Sequence, residues 1–193
     1  MKKGVIIVIA VVAVLALYAI VVYNSMVSKN EAVNAAWAKV ENQYQRRADL
    51  IPNLVNTVKG YAKHETETIE AVVKARSAAT SISIDPENMT AEQLKDFQKA
   101  QNEVGSAIGR LIAISEAYPD LKANENFKEL QTQLEGTENR IATARMDFTN
   151  SVNDFNAYIL RFPNNFFAGM FGFSKKEQFA AEEGANKAPE VKF

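Results

Sequence analysis

The chain has 193 residues, with 22 basic and 23 acidic side chains, one histidine and no cysteine. That length predicts one domain with a tail, and a chain without cysteine excludes disulfides and zinc–thiolate sites. With Lys2 and Lys3 set aside, 20 basic residues face 23 acidic ones, and so mildly acidic a chain, lacking clustered Lys and Arg, argues against nucleic acid as a partner.

Near the start stands "GVIIVIAVVAVLALYAIVVY", residues 4–23, without a charge. At about 1.5 Å per residue this covers about 30 Å, the thickness of a bilayer core. A cleaved signal peptide usually has a shorter apolar core, about 7–15 residues. A weak cleavage pattern ends at Ala16, but the apolar run continues well past it. The reading is a retained single span over residues 1–25, in contact with the lipid bilayer through residues 4–23. Lys2 and Lys3 precede it, while Lys29 and Lys39 follow at a distance. The positive-inside rule then puts the N-terminus in the cytoplasm and the rest on the extracytoplasmic side.

After the span, helical spacing dominates. Five prolines punctuate the chain, because proline is tolerated in a helix's first turn and not in its interior. The first helix carries Val33, Ala36, Trp37, Val40 and Tyr44, and continues the membrane helix. Arg46 to Asp49 is predicted to be a corner. Asp49 is an N-cap candidate with Pro52 in the following first turn, so a second helix is expected from about Leu50 to Thr80. At 100° per residue, Asp49, Asn53, Asn56 and Gly60 lie opposite Ile51, Val55 and Val58 and form its solvent face.

Residues 81–90, "SISIDPENMT", read as a loop. Thr90 and Gln93 match a capping box at the start of a third helix, whose apolar face is Leu94, Phe97, Val104, Ile108, Leu111 and Ile112. Gly105 and Gly109 in that helix predict a close helix crossing, since an interior glycine costs about 1 kcal/mol relative to alanine. "YPDLKAN", residues 118–124, ends it.

The fourth helix has Phe127, Leu134, Ile141, Phe148, Phe155 and Phe162 at seven-residue intervals. A strict heptad drifts about 20° per repeat on a 3.6-residue helix, which implies a left-handed supercoil. The expected architecture is all-α: an N-terminal transmembrane helix followed, over residues 26–162, by an antiparallel up-and-down four-helix bundle with coiled-coil-like left-handed twist. A Phe-rich segment follows at 163–179. Its Phe166, Phe167, Met170, Phe171 and Phe173 precede Lys175 and Lys176, which suits a membrane interface. Capping the open end of the bundle core is an equal alternative. Residues 180–193 have the composition of a disordered tail.

Catalytic patterns do not assemble. His64 sits between Lys63 and Glu65 on a polar face, and the Glu-x-x-His pattern of di-iron bundles is missing. No phosphate loop, nucleotide fingerprint or nucleophile elbow is present. The chain is therefore expected to be no enzyme and to need no cofactor or metal. Glu138 and Arg145 project near the apolar stripe of the fourth helix. Charges there need partners, so an internal ion-pair network of Glu138, Arg145 and Glu70 is expected to fix helix register.

The span, followed by "QRRADLIPNLV" from position 45, "YPDLKANENFKELQ" at 118–131, "TENRIATAR" at 137–145, "FP" at 162–163 and "GF" at 172–173, resembles the LemA family of bacterial membrane proteins. The resemblance runs from the span through Phe173. It implies one N-terminal span in a bacterial cell membrane and an antiparallel helical bundle, and it implies no biochemical activity. Phe148 and Phe155 stand where family members often carry tyrosine. Arg46, Arg47 and Asn53 fall inside a family motif that corner geometry does not explain, which makes them candidates for partner contact. The expected function is a membrane-anchored interaction or scaffold module for an unidentified protein or a second copy of the chain. The alternative is a membrane-organising protein whose Phe-rich segment contacts lipid.

Overall fold

The structure, a computed structural model, describes residues 2–180; the expected tail lies outside them from 181 onward. Among the described residues every regular element is helical: α1 Lys2–Tyr61, α2 Thr66–Thr80, α3 Ala91–Ala113, a 3-10 turn Ile114–Ala117, α4 Pro119–Ala123, α5 Glu125–Leu160 and α6 Asn164–Phe171.

The expected corner at Arg46–Asp49 does not exist. α1 runs unbroken for 60 residues with Pro52 inside it. Proline has no N–H, so the carbonyl of Ala48, four residues earlier, loses its helical donor. Arg76 of α2 replaces it, its Nε donating to Ala48 O at 2.8 Å. The chain turns later, at 62–65, where the Ala62 amide donates to Val58 O at 2.8 Å and the Glu65 amide to Ala62 O at 3.2 Å. Lys59 and Gly60, ordinary residues for a helix end, mark that stop. The predicted phase is nevertheless right. Ile51, Leu54, Val55 and Val58 are buried, while Asp49, Asn53, Asn56 and Gly60 are exposed.

The contacts divide the chain into two compact units. The first holds α1 up to Arg47, residues Asp85–Glu87 and Gln133–Lys176. Its core consists of Met26, Val33, Trp37 and Val40 of α1 with Leu134, Ile141, Phe148, Val152, Phe155 and Ile159 of α5. Trp37 meets Phe148 edge-on at 5.3 Å between centroids. Arg47 pairs with Glu138 and Lys29 lies over the Tyr158 ring, so α1 and α5 run antiparallel in this unit. Each fully buried large side chain contributes about 1.5–3 kcal/mol.

The second unit holds Ala48–Ile84, Asn88–Thr132 and the chain from Glu177. Its core includes Leu54 and Val58 of α1, Ile69 and Val72 of α2, Leu94, Phe97, Val104 and Leu111 of α3, Leu121 of α4 and Phe127 of α5. The predicted capping box opens α3: the Gln93 amide donates to Thr90 Oγ1 at 3.2 Å and the Thr90 amide to Gln93 Oε1 at 3.0 Å. The glycine crossing fails at Gly109. That residue is exposed, and a Cβ built there meets nothing within 4 Å.

The α5 stripe holds for five of its six positions. Phe127, Leu134, Ile141, Phe148 and Phe155 are buried, but Phe162 lies beyond the helix and is 89% exposed. The second buried row is Thr137 and Ala144 early on, then Val152 and Ile159, one residue later than a strict heptad. A 3.6-residue helix accumulates this drift against a seven-residue repeat.

Candidate functional site

The first unit contains the surface most unlike that of a water-facing protein. Large aliphatic side chains of α1 from Val5 to Val21 are 54–65% exposed, while Val22 and Met26 are buried. A helix apolar on every side and almost wholly uncovered fits lipid better than water. It is the one helix among the described residues long and apolar enough to cross a membrane.

α6 packs against the end of this apolar stretch. Tyr18 meets Phe167 at 5.8 Å, and its hydroxyl donates to Asn164 Oδ1 at 3.1 Å. The buried Asn164 in turn donates from Nδ2 to Tyr158 O at 3.1 Å. Tyr23 meets Phe171 at 5.1 Å and Phe173 at 6.1 Å. Gly172, at φ 78°, turns the chain after α6, and the Phe173 amide closes onto Ala168 O at 2.9 Å. A left-handed helix end of this kind suits glycine, which has no Cβ to clash.

The Phe-rich segment is therefore two-faced. Phe167, Phe171 and Phe173 are half-buried, while Phe166 is 69% and Met170 59% exposed. Phe162 and Leu160, just before α6, are exposed as well. Phe166 and Met170 are four apart on one helix and so share a face. The segment both covers core and offers an uncovered apolar ridge beside the apolar end of α1.

A polar clamp ties Lys176, near the end of this segment, to distant stretches of the first unit. Glu87 accepts from Asn30 Nδ2 at 2.9 Å, from Asn34 Nδ2, and from Lys176 Nζ at 3.2 Å. Lys176 Nζ also donates to Pro86 O at 3.1 Å, and its backbone exchanges two 2.9 Å hydrogen bonds with the Asn156 amide. These donors hold the Glu87 carboxyl below its usual range, the Asn34 hydrogen bond foremost and partial desolvation opposing. No spacing in the sequence pointed to this cluster, because its members come from four separate stretches of chain.

The expected ion-pair network forms with different members. Arg47, only 4% exposed, donates from Nη1 to Glu138 Oε1 at 2.8 Å and lies 5.1 Å from the centre of the Tyr44 ring. Burial raises the Tyr44 hydroxyl's pKa, against the opposing pull of Arg145 and Arg47. Glu138 is thus paired to α1 rather than to Glu70. Glu70 is an exposed α2 residue beside Lys59, Val73 and Lys74. Arg145 is half-buried and hydrogen-bonds Tyr44. Of the residues in the family motif, Arg46 and Asn53 are exposed, whereas Arg47 is taken up by this internal pair.

Among the described residues no group of three or more His, Cys, Asp or Glu could hold a metal ion. The arrangement offers apolar surface, hydrogen-bond clamps and a buried cation–carboxylate pair, which are means of holding helices together and of meeting lipid or protein.

The family profile of LemA matches residues 36–193. Magnetosome protein MamQ 2 of Paramagnetospirillum magneticum is 29% identical, the match covering 94% of this chain and 74% of that protein. MamQ of Magnetospirillum gryphiswaldense is 29% identical over 81% of this chain and 64% of its own. Protein LemA of Metamycoplasma hominis is 26% identical over 82% of this chain and 68% of its own.

Proposed function

We propose, from the premise that this chain belongs to the LemA family, that it is a membrane-anchored, non-enzymatic scaffold, crossing a bacterial cell membrane once through residues 4–23. The observation that carries this is the continuity of α1. One unbroken helix is uncovered and apolar over its first turns and then supplies core residues as far as Val58. An anchor and a scaffold built on one rod leave no linker at the membrane. The helices beyond the anchor form an antiparallel up-and-down bundle with left-handed twist, supported by heptad-spaced burial from Phe127 to Phe155. The bundle stands on the extracytoplasmic side, in keeping with Lys2 and Lys3 ahead of the span.

The scaffold's protein contact runs along exposed polar residues of α1. Asn53 is the central candidate, flanked by Asp49 and Asn56, and Arg46 is a further one. A photo-crosslinker at position 53 in native membranes is expected to give one discrete adduct, with a protein or with a second copy, while one at Thr143 gives none. Equal, diffuse labelling from both positions contradicts the contact.

A second reading is supported by the exposed Phe166 and Met170. In it the protein organises lipid through this ridge, an interfacial anchor beside the span. The relatives named as magnetosome proteins are compatible with either reading.

A further inference from the structure

The second unit contains a groove between α2 and α3 of about 900 Å³. Its α2 wall is Ala71, Lys74, Ala75 and Ala78, its α3 wall extends from Lys95 to Arg110, and Ala180, the last described residue, also lines the groove. At about 1.5 Å per residue that wall is about 22 Å long, four helical turns. Both walls contribute alanines to its lining, Ala71, Ala75 and Ala78 from α2 and Ala107 from α3, so a third helix could lie close to both, as when a helix docks into a two-helix groove.

The rim is charged in one sense. Lys74, Lys95, Lys99 and Arg110 line it, against the single carboxylate Glu103. None of these four cations has an ion-pair partner among the described residues. The chain as a whole has net charge −1, so this basic rim runs against its overall balance. Independently of charge, Gln98 lines the groove at 9% exposure and makes no side-chain hydrogen bond among the described residues. Its amide is not a stranded buried group, and it stands free to exchange hydrogen bonds with a ligand's polar group in the groove.

We propose that the α2–α3 groove docks an acidic amphipathic helix of another protein. The helix lays an apolar stripe over Ala71, Ala75, Ala78 and Ala107, sets Glu or Asp against the four cations, and offers one polar group to Gln98. This surface includes no residue of the α1 contact around Asn53, so the proposal stands or falls without that contact.

The test uses the full chain in nanodiscs of neutral phosphatidylcholine. The probe is a fluorescent amphipathic peptide of about five turns with a Leu/Ala stripe flanked by Glu, read by anisotropy. Saturable binding is expected. It should weaken about tenfold or more in Lys74→Glu/Lys99→Glu and disappear in Ala78→Trp. Because Ala78 is exposed, that variant should keep its thermal unfolding profile; if it does not, Ser106→Trp, on the opposite wall, serves in its place. Equal binding of a Lys-flanked peptide overturns the proposal, as does binding indifferent to these substitutions. So do three other occupants: anionic vesicles captured through Lys74 and Lys99 with no peptide binding, dimerisation abolished by Ala78→Trp with no peptide binding, or peptide binding only after removal of residues 181–193.

Discussion

Arg47 and Arg76 show how single residues decide this structure. Arg47 is buried and its partner Glu138 is 48% exposed, so the two substitutions are not equivalent. Glu138→Leu strands a buried guanidinium and is expected to cost about 2–3 kcal/mol, discounted for the glutamate's contact with water. Arg47→Met removes the charge itself and should cost less. Thermal unfolding of the double variant should then recover part of the Glu138→Leu loss; strictly additive losses contradict the pairing. Arg76 acts through the backbone. Arg76→Met leaves Ala48 O without its 2.8 Å donor and should cost about 1–3 kcal/mol. Adding Pro52→Ala restores an N–H four residues on, so the double variant is expected to be more stable than Arg76→Met alone. If it is not, Arg76 does not compensate the proline.

Among elements, helix phase was legible in the sequence and helix ends were less so. The buried and exposed faces of α1 around Asn53, the α3 capping box and the first five members of the α5 stripe follow from spacing alone. The corner at Asp49 was misplaced because a proline ends a helix only if nothing replaces the lost hydrogen bond, and the replacement comes from Arg76, distant in sequence. Phe162 was misassigned because α5 ends at Leu160, so the seven-residue rule has no helix to follow there. The Glu87 clamp was invisible for a similar reason: Asn30, Asn34, Glu87 and Lys176 meet only after folding. That clamp is pH-dependent. A carboxyl whose pKa is lowered in the folded state contributes stability above its unfolded value near 4.5, and loses it as pH falls through the folded value. Wild type is therefore expected to unfold at higher temperature than Glu87→Gln at about pH 7, with the difference shrinking as pH falls below the unfolded value and through the lowered folded one. A difference that persists in acid would show that the carboxylate charge is not what holds Asn30, Asn34 and Lys176.

Over the whole molecule, the sequence made the all-helical class, the apolar N-terminal helix and the family legible. The candidate surfaces were legible only in part. The Phe-rich segment reads from sequence as a membrane interface or, equally, a cap on the bundle core, and its division into an inward face on Tyr18 and Tyr23 and an outward ridge depends on how α6 docks. Arg47 changed from a candidate contact to an internal tie for the same reason: its environment is built by α5. The α2–α3 groove carried no motif, since alanines and lysines at helical spacing are common on any solvated helix.

The central claim is that α1 crosses the bilayer; the second reading adds that α6 meets lipid beside it. The natural sequence has no cysteine, so single-cysteine variants Val12→Cys, Phe166→Cys and Asn53→Cys can each carry an environment-sensitive fluorophore in the full chain in bilayers. Nitroxide-bearing lipids are expected to quench the probes at positions 12 and 166 and to leave the probe at 53 unquenched; a probe at 166 as insensitive to those lipids as the one at 53 would contradict the membrane contact, and an unquenched probe at 12 would contradict the anchor itself.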